Sequence, residues 1–266
     1  MRVLNVAFYH FAPLEQPDRL RRHLKEQLDP TSLKGTLILA PEGINGVWAG
    51  PEEEVRAALS LLQAQPAFQE LRWKESFSDS IPFEFLAFKL KPEIVTFRVP
   101  EVSPPPATSG RIQPLDLAAW YDQGKEFVVL DTRNEFEFRL GRFSEARSLH
   151  LKQFVEFAEA AGTLQDDWKK KPIVTYCTGG IRCEKAAPYL ASLGFEEVYQ
   201  LDGGILGYFE AVGARHWEGE CFVFDQRVAL DPKLTPTGAR LCPKCQGPIP
   251  KVNQDCIHCS DGANSE

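Results

Sequence analysis

The sequence predicts a two-domain α/β protein with a small cysteine-rich tail, and three observations support this prediction. The chain has 266 residues, whereas domains cluster near about 100–150 residues. Residues 99–110 contain four prolines and no apolar periodicity, which is typical of a linker. All seven cysteines follow residue 176. We therefore expect an N-terminal domain over 1–98, a second domain over 111–220 and an extension over 221–266.

Composition argues against a membrane protein and against a strongly basic nucleic-acid-binding protein. Hydrophobic residues make up 43% of the chain and the net charge is −7. No apolar run approaches the roughly 18 residues that a membrane-spanning helix needs. The first ten residues lack the apolar stretch of an export signal, so we predict a cytoplasmic protein. Contacts to a nucleic acid would depend on local basic patches such as residues 19–25.

The first 98 residues alternate between apolar strands and helices. Strands are predicted at 3–9, 35–40, 47–48, 71–76 and 85–90, and helices at 18–28, after Pro51 and near Ala67. Residues 40–46, Ala-Pro-Glu-Gly-Ile-Asn-Gly, are rich in turn formers and predict a loop. This order of elements is typical of a ferredoxin-like α+β sandwich.

The second domain alternates in the same way but with short, fully apolar strands. Strands are predicted at 127–131, 172–176 and 198–201, and helices at 114–121, 135–140, 151–161, 183–193 and 204–211. Apolar strands that alternate with helices predict a parallel sheet covered on both faces.

Reactive cysteine chemistry is predicted where one of these strands ends. The strand Lys171–Tyr176 runs directly into Cys177-Thr-Gly-Gly-Ile-Arg-Cys183 and then into a helix. Ligands of parallel α/β sheets bind at this end of a strand. Gly179 and Gly180 allow successive N–H groups to point inward and stabilise a thiolate, and Arg182 adds a fixed positive charge.

The length of this loop separates it from a phosphate-binding loop. In cysteine phosphatases five residues lie between the cysteine and the arginine, whereas here only four lie between Cys177 and Arg182. A tighter ring suits a single sulfur atom better than a phosphate. A buried cysteine that only packs at the end of a strand is the alternative interpretation.

Several motifs of the second domain resemble those of rhodanese domains. They are Val128-Val-Leu-Asp-Thr-Arg133, the acids Glu135 and Glu137, Gly141-Arg-Phe, Ala146 and the loop Cys177–Arg182. The resemblance implies a rhodanese-like parallel α/β domain in which Cys177 is the nucleophile. It also implies an anion-binding cradle formed by Thr178, Gly179, Gly180, Ile181 and Arg182, with Asp131 and Arg133 bracing its surroundings.

Nearly the whole chain through residue 230 resembles one branch of that superfamily, the TrhO-type tRNA uridine hydroxylases. The resemblance depends on residues 40–46, the Cys177 loop, Leu201-Asp-Gly-Gly-Ile and Cys221-Phe-Val-Phe-Asp-x-Arg-Val. It implies oxygen-dependent conversion of the wobble uridine of tRNA to 5-hydroxyuridine, and hence contact with the anticodon region. Within it, Glu42 and Asn45 are candidates for substrate contact.

Two other functions remain open from the sequence. A sulfurtransferase that carries persulfide sulfur on Cys177 would need the same loop. A non-enzymatic adaptor with a degenerate domain is disfavoured by the intact Cys177 and Arg182. Cys183 is either a resolving partner for an oxidised Cys177 or a helix-start cysteine without a redox role.

The tail predicts a structural zinc site. Cys242-Pro-Lys-Cys245 and Cys256-Ile-His-Cys259 are two C-x-x-C knuckles separated by ten residues, and four thiolates form a closed tetrahedral zinc site. A polar tail of this length would hardly fold without a metal. Cys221 lies in an apolar strand and is predicted to pack. The sequence lacks G-x-G-x-x-G after a strand, so no organic cofactor is predicted.

Overall fold

A computed structural model describes residues 2–100, 102, 110–251, 255, 256 and 259. The chain divides into two compact units, Met1–Thr96 and Phe97–Glu266. Most of the predicted linker, residues 101 and 103–109, lies outside the described residues. Among those that are described, no helix has the length and apolar character needed to cross a membrane.

The first unit is one five-stranded sheet with two helices. Its elements are β1 (Val3–Phe11), α1 (Pro17–Leu28), β2 (Lys34–Ala40), β3 (Gly43–Pro51), α2 (Glu52–Gln63), β4 (Trp73–Ser78) and β5 (Leu86–Leu90), with a 3-10 turn at Pro66–Phe68. The strand order is β4-β1-β3-β2-β5, antiparallel except for the parallel pair β2 and β5. The first four strands and two helices form the predicted ferredoxin-like βαββαβ arrangement.

The apolar periodicities of the sequence form the core of this unit. Leu24 and Leu28 lie on the buried face of α1, and Val55, Leu59 and Leu62 on that of α2. They pack in one cluster with inward residues of β1, β2 and β3. Burying each such side chain stabilises the fold by about 1.5–3 kcal/mol.

The predicted loop at 40–46 is shorter than expected. Only Pro41 and Glu42 lie between β2 and β3, and Gly43 already pairs with Phe11 of β1. At Gly43 φ is +142°, and a Cβ there would lie 2.1 Å from the His10 carbonyl oxygen. Gly43 therefore allows β3 to pair closely with β1, in addition to its place next to the turn.

The second unit is built on a five-stranded parallel sheet of order β6-β11-β10-β7-β9. Its strands are β6 (Gly110–Ile112), β7 (Val128–Asp131), β8 (Gly141–Phe143), β9 (Arg147–Ser148), β10 (Ile173–Tyr176), β11 (Val198–Leu201), β12 (Trp217–Gly219), β13 (Cys221–Phe222), β14 (Ala229–Leu230), β15 (Arg240–Leu241) and β16 (Pro248–Ile249). Its helices are α3 (Pro114–Asp122), α4 (Glu135–Leu140), α5 (Phe157–Ala161), α6 (Cys183–Ser192) and α7 (Gly204–Val212), with 3-10 turns at Phe154–Glu156 and Asp166–Lys170.

One predicted helix of this unit is shorter than expected. The sequence predicts a helix over 151–161, but the structure has a 3-10 turn at Phe154–Glu156 followed by α5. The Glu156 carboxylate accepts a hydrogen bond from the backbone N–H of Lys152 at 2.9 Å. This contact caps the chain at the turn, so residues 151–153 stay outside the helix.

Candidate active site

Cys177 directly follows β10, the central strand of the parallel sheet. All four residues of β10 are buried, and β11 and β7 pair with it on either side. The loop from Cys177 to Arg182 then leads into α6. Cys177 thus lies at the carboxyl edge of the sheet, where parallel α/β proteins place their ligands.

The Cys177 sulfur is held as a poised thiolate. The backbone N–H of Gly180, where φ is +101°, donates a hydrogen bond to Sγ at 3.1 Å. Burial raises the pKa of this thiol. The hydrogen bond with the Cys183 side chain, the Arg182 charge and the backbone N–H groups of Arg182 and Gly180 together lower the pKa by more than burial raises it. The resulting pKa is about 6, against an ordinary value of 9.0.

Arg182 is fixed by an acid from a distant part of the chain. Its Nη1 donates to Glu137 Oε2 at 2.8 Å, and the Glu137 side chain is completely buried. The same Glu137 oxygen accepts from the backbone N–H of Asn134 at 3.0 Å, at the start of α4. Glu137 therefore caps a helix and holds the arginine of the cysteine loop.

Sequence reasoning identified Glu137 only as part of a motif and missed this role. The available signal is the acid three residues after Asn134 at a helix start, which is typical of a capping box. That signal predicts a cap. It does not predict a partner 45 residues away.

The N-terminus of α7 forms hydrogen bonds with the backbone of the Cys177–Arg182 loop. The backbone N–H groups of Ile205 and Leu206 donate to the carbonyl oxygens of Cys177 and Thr178 at 3.0 and 3.1 Å. At Gly204 φ is +60°, and a Cβ there would lie 2.5 Å from the Cys177 carbonyl oxygen. The stretch Leu201-Asp-Gly-Gly-Ile thus places a residue without a side chain against the cysteine loop.

Cys183 is the first residue of α6 and lies against Cys177. Its side chain is fully buried, and its sulfur is 3.7 Å from Thr132 Oγ1. Burial and the neighbouring Cys177 raise the pKa of Cys183 well above the ordinary value of 9.0. The pair therefore combines a thiolate with a protonated thiol.

Asp131 and Arg133 form a buried ion pair beside this region. Arg133 Nη2 donates to Asp131 Oδ2 and to the Gly141 carbonyl oxygen, both at 2.6 Å. Both side chains are inaccessible to solvent. A buried, paired arginine of this kind braces the strand ends, because removing either partner would leave an uncompensated charge.

Cys221 belongs to the apolar core of the second unit. It is fully buried in β13 and packs in the same cluster as Tyr176 and Leu201. Burial raises the pKa of its thiol to about 12, which leaves it protonated and unreactive at neutral pH.

Glu42 and Asn45 bind backbone within the first unit. Glu42 Oε1 accepts from the N–H of Ile94 at 2.7 Å, and Asn45 Nδ2 donates to the Ile94 carbonyl oxygen at 3.0 Å. The two side chains thus bind both backbone polar groups of one residue, Ile94. Their contact with a substrate stays a prediction.

The four tail cysteines converge as the knuckle spacing predicts. All four sulfur atoms of Cys242, Cys245, Cys256 and Cys259 lie within 4.8 Å of one another. Three of the sulfur pairs are separated by 3.3, 3.5 and 3.9 Å, close to the distance of about 3.8 Å between thiolates around a tetrahedral zinc ion. The cluster fits a metal ion.

Comparison with known proteins relates both units to one family. The model of the UPF0176 acylphosphatase-like domain matches residues 3–94, and the model of the rhodanese-like domain matches residues 113–211. The chain is 40% identical to the tRNA uridine(34) hydroxylase of Cupriavidus taiwanensis and 42% identical to that of Ralstonia nicotianae, each over 98% of both chains. The chain belongs to the tRNA uridine(34) hydroxylase family.

Family membership confirms the predicted resemblance and the predicted fold class. The alignments cover 98% of this chain and therefore reach into the cysteine-rich tail. The Cys177 loop, Glu137 and Gly204 all lie in the part that matches the rhodanese-like model.

Alkylation of Cys177 is expected to follow the titration of its own thiol. With a pKa of about 6, the thiolate dominates above that pH, and the rate should fall about tenfold per pH unit below it. Iodoacetamide labelling followed by peptide mass spectrometry measures this profile. Cys221, with its pKa of about 12, is the internal control and should remain unlabelled. A Cys177 midpoint near 9 would contradict the poised thiolate.

Proposed function

We propose that this protein hydroxylates the wobble uridine of tRNA to 5-hydroxyuridine, with molecular oxygen as co-substrate. One observation supports the proposal most strongly: a Cys177 thiolate lies at the carboxyl edge of a rhodanese-like domain, in a chain that aligns over 98% of its length with a tRNA uridine(34) hydroxylase. The substrate contact would lie in the anticodon region. The place of action would be the cytoplasm.

The first step of this reaction needs a nucleophile, and the Cys177 thiolate supplies it. C5 of uridine becomes a good nucleophile only after a nucleophile adds to C6, which leaves an enolate across C4 and C5. We assign this addition to Cys177, with Thr178, Gly179, Gly180, Ile181 and Arg182 forming the cradle around its sulfur. One oxygen atom of O2 is then transferred to C5, and the other leaves as water with two electrons and two protons that a thiol reductant, oxidised to its disulfide, would supply. Loss of the C5 proton with departure of the Cys177 thiolate from C6 then restores the C5–C6 double bond.

Cys183 is proposed to resolve Cys177 when that sulfur becomes oxidised. The buried Cys183 thiol hydrogen-bonds to Cys177, so a sulfenic acid on Cys177 would condense with it to a disulfide and release water.

Replacement of Cys183 by serine tests this role. The variant should keep its first turnover but lose activity several-fold over repeated turnovers in air, because oxidised Cys177 is no longer resolved. Dimedone trapping of sulfenic acid on Cys177 should rise in parallel. Unchanged multiple-turnover activity without added dimedone label would show that Cys183 only packs.

The tail cysteines are proposed to bind a structural zinc ion. Four thiolates leave no open coordination position, so the ion would stabilise the tail and take no part in the chemistry. The backbone N–H of Gly247 donates to Cys245 Sγ at 3.4 Å, a contact that supports a charged sulfur.

Metal removal is expected to unfold the tail and spare the rest of the second unit. Purified protein should contain one zinc ion per chain, and a chelator should make residues after 240 sensitive to protease because zinc binding drives the folding of such segments. The variant Cys256→Ser should behave like chelated protein, whereas Cys221→Ala should retain the metal. Protein without bound metal and with a protease-resistant tail would contradict the site.

A sulfurtransferase is the alternative function, since the same loop would carry a persulfide. It predicts release of thiocyanate from thiosulfate and cyanide and loss of a thiolated nucleoside in cells without the gene. Hydroxylation predicts loss of 5-hydroxyuridine and its derivatives. Nucleoside mass spectrometry of tRNA from cells with and without the gene separates the two, and unchanged 5-hydroxyuridine would reject our proposal.

A further inference from the structure

An exposed aromatic ring lies beside the cysteine loop. Phe224 follows the buried residues Cys221 and Phe222 in the hairpin β13–β14, yet 59% of its surface is exposed. Exposure alone carries little weight, because single exposed apolar side chains are common on proteins. The position of this ring relative to Cys177 and Arg182 is what points to a function.

The hairpin contacts both ends of the cysteine loop. The guanidinium carbon of Arg182 lies 5.7 Å from the centroid of the Phe224 ring. At the other end, Thr178 Oγ1 donates to the Phe222 carbonyl oxygen at 3.5 Å. Phe224 therefore lies at the rim of the loop that carries the Cys177 thiolate.

Several contacts hold the hairpin loop that carries Phe224. Arg227 forms a two-pronged ion pair with Asp225, with distances of 2.9 Å from Nε and 2.6 Å from Nη2. The backbone N–H of Val223 donates to the Val228 carbonyl oxygen at 2.9 Å. Phe222 meets the Phe224 ring edge-on, with centroids 5.0 Å apart. The ring is thus held in place before any ligand arrives, which lowers the entropy cost of binding one.

We propose that Phe224 is the stacking platform for the pyrimidine base that reacts with Cys177. A thiolate adds to C6 perpendicular to the ring plane, so one face of the base must turn toward the sulfur. The opposite face must then leave the anticodon stack, and an exposed aromatic ring at the rim replaces the lost stacking partner. This inference rests on the proposed function and specifies how that function binds its base.

Aromatic and aliphatic replacements of Phe224 distinguish stacking from simple apolar contact. Stacking of a base on an aromatic side chain contributes roughly 5- to 150-fold in binding. Phe224→Leu and Phe224→Ala should therefore lower kcat/KM for tRNA at least about fivefold, whereas Phe224→Trp and Phe224→Tyr should stay within about twofold of the parent.

Phe138→Leu is the matched control. Phe138 is also a partly exposed phenylalanine under an arginine, with the Arg142 guanidinium carbon 5.2 Å from its centroid, but it lies on α4. Its replacement should leave kcat/KM unchanged. The alkylation profile of Cys177 serves as a second readout and should be the same in every Phe224 variant, because stacking does not depend on the loop's own geometry.

A binding measurement tests the platform independently of turnover. The probe is an anticodon stem-loop RNA that carries either uridine or an abasic nucleotide at position 34. Removing the base should weaken binding to the parent protein and to Phe224→Trp, and should have little effect on Phe224→Leu. Equal penalties in all three proteins, or an altered Cys177 alkylation profile in Phe224→Leu, would overturn the proposal. Base-dependent binding without any hydroxylation would reject the proposed reaction and leave the platform standing.

Discussion

Replacement of Cys177 by serine is expected to abolish hydroxylation and leave the fold intact. Serine has nearly the same size and can still accept the hydrogen bond from the Gly180 N–H, which lies 3.1 Å from the sulfur. Its hydroxyl does not ionise near neutral pH, so the proposed nucleophile is lost. We expect a fall of roughly 1,000-fold or more, as for other removed nucleophiles. Nucleoside mass spectrometry of tRNA incubated with each protein measures the loss.

The matched control for this variant is Cys221→Ala. It also removes a fully buried thiol from the second unit, but one whose pKa of about 12 keeps it protonated. It should lower stability by about 1 kcal/mol through a small cavity and leave the reaction rate unchanged. If Cys177→Ser kept the activity of Cys221→Ala, Cys177 would not be the nucleophile.

Replacement of Gly204 by alanine is expected to have the second-largest effect. The new Cβ would lie 2.5 Å from the Cys177 carbonyl oxygen and 2.8 Å from the Gly180 nitrogen, so the cysteine loop must move away from α7. Displacing catalytic groups by about 1 Å can cost about 100-fold in rate. The left-handed conformation at φ +60° adds about 1–2 kcal/mol of strain. Activity and the pH profile of Cys177 alkylation should both change.

The control variant Gly124→Ala separates the effect of backbone strain from the effect of the steric clash at Gly204. Gly124 has φ +63°, almost the value at Gly204, but nothing lies within 4 Å of the position its Cβ would take. The control variant should lose about 1–2 kcal/mol of stability and retain full activity. If both variants lost activity equally, the contact between α7 and the cysteine loop would have no catalytic importance.

Local features of the site could be predicted from the sequence because they depend on neighbouring residues. An apolar strand that ends in Cys-x-Gly-Gly-x-Arg before a helix fixes both the position of Cys177 and the curl of its loop. Knuckle spacing likewise brings the four tail cysteines together, since each pair needs only one turn. The βαββαβ order of the first unit follows from its apolar periodicities in the same way.

The remaining contacts of the site depend on tertiary structure. Glu137 meets Arg182 across 45 residues, and Thr178 reaches Phe222 across 44. No local pattern encodes either pairing, because each depends on where α4 and the β13–β14 hairpin pack against the carboxyl edge of the sheet. The short strands β8, β9 and β12–β16 have two or three residues each, too few for an apolar alternation to appear in the sequence.

The most direct test of the central claim is oligonucleotide mass mapping of tRNA. The RNA would come from a bacterial strain without 5-hydroxyuridine that expresses either the parent chain or Cys177→Ser. We predict that the parent adds the mass of one oxygen atom to the anticodon fragment at position 34, and that Cys177→Ser does not. An unchanged anticodon fragment in both strains, or the added oxygen in both, would contradict the assignment of wobble-uridine hydroxylation to the Cys177 site.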